Sequence, residues 1–290
     1  MPKVNQCPDP KMIAFTKFDV YKEKYKELFL LDRTESGVVT AKFHTDGDTA
    51  EWNYPLHRGI HQLCHDVGQD AESEVLILGG TGDNFLSVGK TSLPEDFETQ
   101  KWSLYEHSYY DGCNMCEAIV NDVEQPTIGI INGPALHTEI ALLCDITLMA
   151  EEAVIFDPHF GISGVIPGDG VQIALRAAMG WKRSNYAMMF NEMISAQKAL
   201  ECGMVNEIMP RDMLYARALE LGEQLASKPR LGRRLLTQVL RLPIKEQLAK
   251  ELRTTFGAEM WNMLAQRSTH DEEFEKMNKV HDLSSKKGKE

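Results

Sequence analysis

Three short apolar runs constrain the fold of this chain most strongly. Val75-Leu-Ile-Leu-Gly-Gly-Thr-Gly and Thr127-Ile-Gly-Ile-Ile-Asn-Gly end in glycine-containing loops, and Ile146-Thr-Leu-Met-Ala repeats the apolar pattern. Such runs, without alternation, are typical of strands buried on both faces. Helical periodicity from about Trp102 to Val123 and from about Glu139 to Cys144 separates them. This order predicts right-handed βαβ units and a mostly parallel sheet, in which sites collect at the carboxyl ends of strands.

Further elements extend this α/β pattern in both directions. Two strands around a turn at Glu35 to Gly37 are predicted between Tyr25 and Phe43, followed by a helix from Leu56 to Val67. Beyond Gly170 the sequence predicts helices throughout, over residues 171–179, 186–190, 195–202, 213–227, 230–240 and 244–266.

The chain divides into four parts on this pattern. Residues 1–25 show no clear period, and we expect them to form an N-terminal extension outside the core. Residues 26–200 form the predicted α/β core, and residues 201–266 form a C-terminal helical region. Residues 267–290 are strongly charged and are expected to form a tail.

Composition excludes several classes of function. The chain has 290 residues, 43% of them apolar, and can therefore bury a substantial core. A formal net charge of -12 argues against nucleic acid and against an anionic membrane as partners. The six cysteines lack the density of a disulfide-stapled secreted domain, and the sequence shows neither a signal-peptide core nor an apolar stretch of about 18 residues. We expect a cytoplasmic protein with reduced thiols.

The region from Asn132 to Gly170 carries side chains suited to acid–base catalysis, namely His137, His159 and Asp169. A histidine held by a carboxylate can activate water near neutral pH, and an imidazole N–H can stabilise negative charge on oxygen. An isolated histidine is more often structural than catalytic. Asp169, flanked by glycines, could instead shape a turn or cap the next helix.

Motifs in this region resemble those of the crotonase superfamily, which comprises enoyl-CoA hydratases and isomerases. Asn132-Gly133, Glu139-Ile-Ala-Leu-Leu-Cys-Asp145-Ile146 and Ile166-Pro167-Gly168-Asp169-Gly170 occur in the family's order and at nearly its spacing. The resemblance covers about residues 26 to 265. It implies an α/β fold of the crotonase type, a ββα superhelix with a C-terminal helical trimerisation region. It also implies a homotrimer, or a hexamer made of two trimers.

The departures from the family pattern lie where family members bind CoA thioesters. Those proteins stabilise a thioester enolate with backbone N–H groups from a glycine run, which is shortened here and replaced by His137-Thr138. The family's Phe-x-Ala-Gly-x-Asp loop becomes Phe85-Leu-Ser-Val-Gly-Lys-Thr91, with Val88 in place of glycine and Lys90 in place of the acid. These substitutions predict a reaction other than that of a CoA thioester.

One branch of the superfamily is more similar, the β-diketone hydrolases of the 6-oxocamphor hydrolase type, which cleave a carbon–carbon bond without CoA. That branch has a Trp–His pair five residues apart, a histidine before the Glu-Ile helix, a His and an Asp in a Pro-His-Phe to Pro-Gly-Asp-Gly segment, and a glutamate in the C-terminal helices. The matching residues here are Trp52, His57, His137, His159, Asp169 and Glu259, with one extra residue between His159 and Asp169.

The resemblance implies cofactor-independent hydrolysis of a (bi)cyclic 1,3-diketone, a retro-Claisen reaction that gives a keto acid. We interpret His159 as the base that activates water, with Asp169 orienting it. His137 and the Trp52 indole are expected to stabilise the oxyanion. His57 is expected to hold the other carbonyl or to return a proton to the enolate carbon.

Two glutamates have less defined roles. Glu259 is expected to be catalytic, reaching the active site of its own subunit or of a neighbour, because C-terminal helices pack at the subunit interface in this family. Glu139 stands where hydratases carry a catalytic glutamate, but Phe160 occupies their second glutamate position. Glu139 is therefore either active or vestigial.

Two other motifs do not support a metal or nucleotide site. His57, His61 and His65 recur every four residues, but no His-Glu-x-x-His pattern accompanies them, so an ordinary amphipathic helix is favoured and no metal is expected. Gly89-Lys-Thr91 resembles the end of a phosphate loop, yet Asn84 stands where its first glycine is required.

Two alternatives to diketone hydrolysis stay open. A CoA-thioester hydratase or isomerase would bind CoA and turn over an enoyl-CoA. A catalytically silent relative would serve as a binding or assembly subunit. The complete set of candidate residues argues against this alternative, because a protein that had lost its activity would not be expected to keep them all.

Overall fold

A computed structural model describes residue 11, residues 13–88 and residues 97–266 of the chain. The expectations for Gly89-Lys-Thr91 and for the tail 267–290 lie outside these residues. The strands are β1 (Phe29–Arg33), β2 (Val38–Phe43), β3 (Glu51–Trp52), β4 (Val75–Gly80), β5 (Ser87–Val88), β6 (Thr127–Ile131), β7 (Ile146–Ala150), β8 (Val154–Ile155), β9 (Ile194–Ser195) and β10 (Glu207–Met209). The α-helices are α1 (Phe18–Lys24), α2 (Tyr54–Gln69), α3 (Phe97–Ser103), α4 (Asp111–Glu117), α5 (Glu139–Leu142), α6 (Val171–Met179), α7 (Trp181–Phe190), α8 (Ala196–Glu201), α9 (Leu214–Ala226), α10 (Arg230–Leu240), α11 (Leu242–Gln247) and α12 (Arg253–Gln266).

The central sheet has six strands in the order β1-β2-β4-β6-β7-β10. Strand β1 is antiparallel to β2, and every other pair in this sheet is parallel. Strands β4 and β6 are buried along their whole length, as their apolar runs predicted. The α/β class and the mostly parallel sheet are therefore confirmed.

One long helix begins at Phe97 and ends at Asp122. It consists of α3, a π-helical segment at Leu104–Tyr110, α4, and a second π-helical segment at Ala118–Asp122. The sequence predicted this helix as Trp102 to Val123. Its π-helical segments have no sequence signature that we identified, and such segments often lie at functional sites.

The N-terminal helix contradicts, for residues 18–25, the expectation that the N-terminal extension lies outside the core, whereas residues 1–10 and 12 are not among those described. Phe18, Tyr21 and Tyr25 are buried members of the main apolar cluster. The Tyr21 hydroxyl donates a hydrogen bond to Asp70 over 2.9 Å, which fixes α1 to the end of α2. The three aromatic residues at positions 18, 21 and 25 have helical spacing, so the signal was present in the sequence.

The Cys-Asp signature of the core acts as a structural anchor. Asp145 accepts hydrogen bonds from the backbone N–H of Thr127, over 2.7 Å, and from the buried guanidinium of Arg241. These contacts join the start of β6 to the end of α10. Since a buried charge needs a partner of opposite charge, Arg241 and Asp145 together attach the C-terminal helices to the sheet.

Helices α11 and α12 and the π-helical segment between them, Leu248–Leu252, continue without a break. Helix α12 approaches the loop before α6 so closely that a Cβ atom at Gly168 would lie 2.2 Å from the carbonyl oxygen of Thr255. Glycine is therefore required at position 168. Within the described ranges, the helices are all too short or too polar to cross a bilayer.

Candidate active site

The fold brings all six residues predicted from sequence to one cavity of about 170 Å³. They reach it from well-separated parts of the chain. Trp52 ends β3, His57 lies in the first turn of α2, His137 precedes α5, His159 begins a π-helical turn at His159–Ser163, Asp169 precedes α6, and Glu259 lies in α12. Glu139 and Asp157 also line this cavity.

The rest of the wall is mainly apolar. A cavity of this size, with polar groups gathered in one part of it, suits a small and largely hydrocarbon molecule. The apolar lining comes from Leu104, Met115, Leu136, Phe156, Val165 and Val171, and from Phe256, Met260 and Met263 of the C-terminal region.

His159 is held by a residue that the sequence reasoning missed. Its Nδ1 atom lies 2.6 Å from Oδ1 of the buried Asp157, two residues earlier in the chain. An ionised carboxylate only accepts hydrogen bonds, so Nδ1 carries the proton and Nε2 faces the cavity groups. The Nε2 atom lies 3.8 Å from Oδ2 of Asp169. The expectation that Asp169 orients His159 by a hydrogen bond is therefore wrong, because Asp157 makes that bond.

Glu259 reaches the site of its own chain, which answers a question the sequence left open. Its Oε1 atom lies 3.8 Å from Nε2 of His159, and its Oε2 atom accepts a 2.7 Å hydrogen bond from the backbone N–H of Gly168. Burial and the nearby Asp169 raise the pKa of Glu259 well above its ordinary value, against an opposing effect of His159. Glu259 can therefore hold a proton near neutral pH.

The protonation of His159 reflects two opposing effects. Burial lowers the pKa of an imidazole, but the carboxylates of Asp157 and Asp169, with a smaller contribution from Glu259, raise the pKa of His159 well above 6.5. The imidazolium is thus the prevailing form at neutral pH. His159 can act as a base only in the fraction of molecules that have lost this proton, and that fraction rises with pH.

His137 has a backbone conformation that few residues adopt. Its φ is +49°, in the left-handed region that favours glycine. The family pattern has its glycine run in this stretch, and here a residue with an imidazole side chain adopts a conformation that glycine adopts without steric cost. A strained residue of this kind is typical of functional sites. The Nδ1 atom of His137 lies 3.0 Å from Oε1 of Glu139 and 3.5 Å from Oδ2 of Asp169.

Trp52 connects the two other predicted histidines. Its ring stacks on His137 with centroids 3.9 Å apart, and its centroid lies 4.8 Å from that of His57. Strand β3 places it there by pairing in parallel with β5, where Trp52 is opposite Val88. Val88, which stands where the family pattern has a glycine, thus pairs with the strand that carries the tryptophan.

His57 is a neutral, buried imidazole. Its Nδ1 atom lies 2.8 Å from the backbone carbonyl of His107, and a carbonyl only accepts, so Nδ1 must carry the proton. Burial, together with His137, lowers the pKa of His57 to about 4. The Nε2 atom therefore has a lone pair and cannot donate to a substrate carbonyl. The expectation that His57 holds that carbonyl is wrong for this geometry.

A second buried carboxylate that the sequence did not reveal, Asp111, contacts the residues that follow His57 in α2. Asp111 accepts hydrogen bonds from Nε of Arg58 over 3.0 and 3.2 Å, and its Oδ1 lies 3.5 Å from Nε2 of His61. These contacts join α2 to α4. They also account for His61 as part of an ordinary helix contact.

Two overlapping groups of side chains have donor atoms of the types that bind divalent cations. Each group has its atoms within 4.8 Å of one another, and the groups are His137, Glu139 and Asp169, and His159, Asp169 and Glu259. The α2 histidines 57, 61 and 65 form no such group in the part of the chain that is described. Our expectation that no metal is required stays a prediction, which chelation can test.

Comparison with known proteins identifies the family. The enoyl-CoA hydratase/isomerase family model matches residues 33–277. The chain belongs to this family. Its fold is similar to that of ABDH, a β-diketone hydrolase from the cyanobacterium Anabaena sp. PCC 7120, whose structure contains (S)-3-oxocyclohexyl acetic acid. The TM-score is 0.78 and the identity 29%, over 86% of this chain and 98% of the other. The resemblance to the crotonase superfamily and its β-diketone hydrolases is thus confirmed.

Curated relatives belong to the CoA-dependent part of the same family. The 2,3-dehydroadipyl-CoA hydratase of Escherichia coli is 32% identical over 119 residues, which cover 40% of this chain and 46% of that protein. The hydroxycinnamoyl-CoA hydratase-lyase of Pseudomonas fluorescens is 28% identical over 180 residues, which cover 60% and 63%. The matches therefore span between about half and two thirds of these relatives.

Proposed function

We propose that this member of the crotonase superfamily hydrolyses a carbon–carbon bond of a (bi)cyclic 1,3-diketone, without a cofactor, and releases a keto acid. One observation carries the proposal. Two imidazoles, His137 and His159, flank the shared carboxylate of Asp169, and His137 stands where CoA-dependent relatives rely on the backbone of a glycine run. The likeness to a β-diketone hydrolase supports it, and (S)-3-oxocyclohexyl acetic acid is the kind of keto acid that opening a bicyclic diketone would give.

The first step is the addition of water to one carbonyl. The 3.8 Å distances from Nε2 of His159 to Asp169 and to Glu259 are too long for direct hydrogen bonds, and one water molecule can bridge such a distance. Neutral His159 removes a proton from this water, while Asp157 holds the ring and stabilises the imidazolium that forms. The hydroxide oxygen bonds to the carbonyl carbon, whose oxygen becomes an oxyanion.

The second step breaks the carbon–carbon bond. Collapse of the adduct sends the bonding electron pair into the second carbonyl, which becomes an enolate, while the first carbonyl becomes a carboxylic acid. An N–H of His137 and the Trp52 indole stabilise the negative oxygen. The proton taken by His159 then returns to the enolate carbon, directly or through Glu259, and the products are one keto acid per diketone and water consumed.

His57 has a supporting role in this proposal. Its neutral ring packs against Trp52, and its only N–H is bonded to the His107 carbonyl. It therefore fixes the indole on which His137 stacks. Because His57 has no free N–H, the stabilisation of the negative charge on the substrate oxygen is assigned to His137 and Trp52.

A CoA-thioester hydratase is the second candidate, because Glu139 lies in the cavity at the position of the hydratases' glutamate and the curated relatives act on CoA compounds by name. The two functions differ in their substrates. We would incubate the protein with a symmetric bicyclic octanedione and, separately, with crotonyl-CoA, and follow the ultraviolet absorption of each.

The His159→Ala variant, checked for folding by circular dichroism, accompanies both assays. We expect loss of the diketone by the wild type only, with formation of a keto acid. Turnover of crotonyl-CoA alone would favour the hydratase, and turnover of neither substrate would favour a binding subunit. Unchanged diketone turnover by His159→Ala would contradict the assigned base.

A further inference from the structure

Glu139 is a buried carboxyl group that the steps above do not use. Its side chain is fully buried, its Oε1 atom lies 3.0 Å from Nδ1 of His137, and its Oε2 atom has no hydrogen-bond partner among the described residues. Burying a carboxyl group with one unsatisfied oxygen costs stability, and a methylene-rich side chain would fill this space at lower cost. The position therefore calls for a functional reason.

We propose that Glu139 is a positioning residue that acts through His137, keeping a proton on Nε2 so that this nitrogen donates a hydrogen bond to the substrate oxyanion. The inference rests on the proposed function, because it deepens the role of His137 in that reaction. It also differs from the part played by a glutamate that exchanges protons with the substrate itself.

The geometry of the pair carries the argument. One proton lies between Nδ1 of His137 and Oε1 of Glu139. When Glu139 is protonated, it donates to Nδ1, and the neutral ring has its proton on Nε2. When Glu139 is ionised and the ring is an imidazolium, Nδ1 donates and Nε2 again has a proton. Two of the three proton arrangements thus make Nε2 a donor, and only a neutral ring beside an ionised Glu139 does not.

The surroundings disfavour that third arrangement. Asp169 places a second carboxylate oxygen 3.5 Å from Nδ1 of His137, and the Trp52 ring stacks on the imidazole with centroids 3.9 Å apart, so Nδ1 is the ring nitrogen that faces the carboxyl groups. Burial favours the protonated form of Glu139, whose pKa is raised by it and by Asp169 against an opposing effect of His137. The nearby Cys116 thiol stays neutral, because burial, Glu139 and Asp169 raise its pKa, so it adds no charge.

The lack of a hydrogen-bond partner for Oε2 of Glu139 among the described residues is what we expect of a carboxyl group whose role depends on its single contact with His137. Among the described residues, His137 is the only side chain with a hydrogen bond to the Glu139 carboxyl group, and no hydrogen bond to Nε2 of His137 is found. If Glu139 acts only through His137, removing His137 makes Glu139 irrelevant to turnover. If Glu139 acts on the substrate, its loss lowers the rate in either background.

A double-mutant cycle separates these cases. The variants are Glu139→Leu, which fills the site without a polar atom, His137→Asn, which tolerates the left-handed backbone, and the double variant. With a bicyclic diketone, we expect each single change to lower kcat about 10²-fold, as loss of an oxyanion donor does, with little change in KM. The double variant should be no slower than His137→Asn. Losses that multiply, or an unchanged kcat in Glu139→Leu, would overturn the proposal.

A second measurement does not depend on turnover. Nitrogen-15 NMR of labelled histidine, assigned by comparison with His137→Asn, reports which ring nitrogen has a proton. We expect a protonated Nε2 of His137 in the wild type and a mixture of tautomers in Glu139→Leu. A bare Nε2 in the wild type would disprove the inference whether or not diketones are substrates. If Glu139→Leu does not fold, Glu139→Met, which likewise has no N–H to donate to Nδ1, takes its place in the cycle. Failure of diketone turnover with a protonated Nε2 would instead count against the proposed function.

Discussion

Asp157 and His159 form the shortest contact between a carboxylate and an imidazole in the candidate site, with Oδ1 of the first 2.6 Å from Nδ1 of the second. The bond directs the other ring nitrogen toward Asp169 and Glu259. Three carboxyl groups thus surround one imidazole, and only the one nearest in sequence touches it directly. The arrangement makes the protonation of His159 the main control on the proposed reaction.

Replacing Asp157 with asparagine should change both the rate and its pH dependence. Since the Asp157 carboxylate raises the pKa of His159, its removal lowers that pKa toward 6.5, and the acid limb of kcat/KM moves to lower pH. An amide can also hold the wrong tautomer, so the maximal rate should fall about 10²- to 10⁴-fold.

A matched control is Asp122→Asn, which removes a similar carboxylate from the exposed His65, 3.2 Å away, far from the cavity lining. Rate profiles from pH 5 to pH 10 with a diketone substrate check both expectations. If the acid limb of kcat/KM lies at the same pH in Asp157→Asn as in the wild type, a group other than His159 controls that limb.

The wild-type profile itself should rise above neutral pH. The base form of His159 is the minor form at pH 7, because its pKa is raised well above 6.5 by the surrounding carboxylates. The rate of hydrolysis should therefore increase as the pH passes through that raised pKa. His159→Ala should lower kcat by about 10²- to 10⁴-fold and abolish this limb, while His65→Ala leaves both unchanged. An optimum below pH 6 would be incompatible with His159 as base.

Much of the site could be predicted because motif spacing fixes it. His137 and Asp169 belong to loops whose flanking glycine, Cys-Asp and Pro-Gly signatures identify the scaffold, and Trp52 lies a fixed distance before α2. Parallel strands ending in loops then bring these segments to one place. The mostly parallel sheet followed equally from the buried apolar runs of β4 and β6.

The role of Asp157 and the protonation of His57 could not be predicted, because they depend on contacts in the folded chain that the spacing of motifs does not determine. Asp157 stands two residues before His159, and only the turn at Pro158 determines that their side chains meet. The proton on His57 is fixed by the carbonyl of His107, fifty residues away, which becomes a partner only when the π-helical segment packs on α2. The charge of His159 and the tautomer of His57 therefore could not be derived from the sequence, although both histidines could be identified as candidate site residues.

His57 should make the protein sensitive to acid. The native state holds it neutral with a pKa of about 4, whereas the unfolded chain binds the proton near pH 6.5. Because the unfolded state binds more protons in this range, the stability due to neutral His57 is present above pH 6.5 and is lost as the pH falls toward 4. The loss amounts to about 3 kcal/mol by linkage.

A His57→Leu variant lacks this titration. The difference in free energy of unfolding between wild type and variant, measured by urea denaturation, should therefore fall by about 3 kcal/mol from pH 7 to pH 4. His65→Leu, which changes an exposed histidine of the same helix, is the matched control. A difference that does not vary with pH would mean that His57 is not buried as a neutral ring.

Removal of metal should leave the reaction intact. In the proposed steps, His159 takes a proton, Glu259 can relay it and Asp169 contacts the water as a carboxylate, so their donor atoms are not expected to need a cation. Dialysis against EDTA, followed by assay in metal-free buffer, should retain the full kcat. Loss of activity that returns with added Zn²⁺ would instead show that one of the two groups around Asp169 binds a metal, and would overturn the metal-free acid–base assignment.

Helix α10 and the start of α11 expose a row of apolar side chains, and this surface should form the subunit contact that the family resemblance predicts. Apolar surface of this kind is typical of interfaces. The exposed residues are Leu231, Leu235, Leu236, Val239, Leu240 and Leu242. We expect the mass of a trimer or hexamer by light scattering, and a smaller species for Leu236→Glu. Leu30→Glu, at an exposed position on β1, is the control.

Because all six candidate residues line a cavity within one chain, the dissociated variant should keep measurable turnover, and complete loss of activity in a folded monomer would show that a neighbouring subunit completes the site.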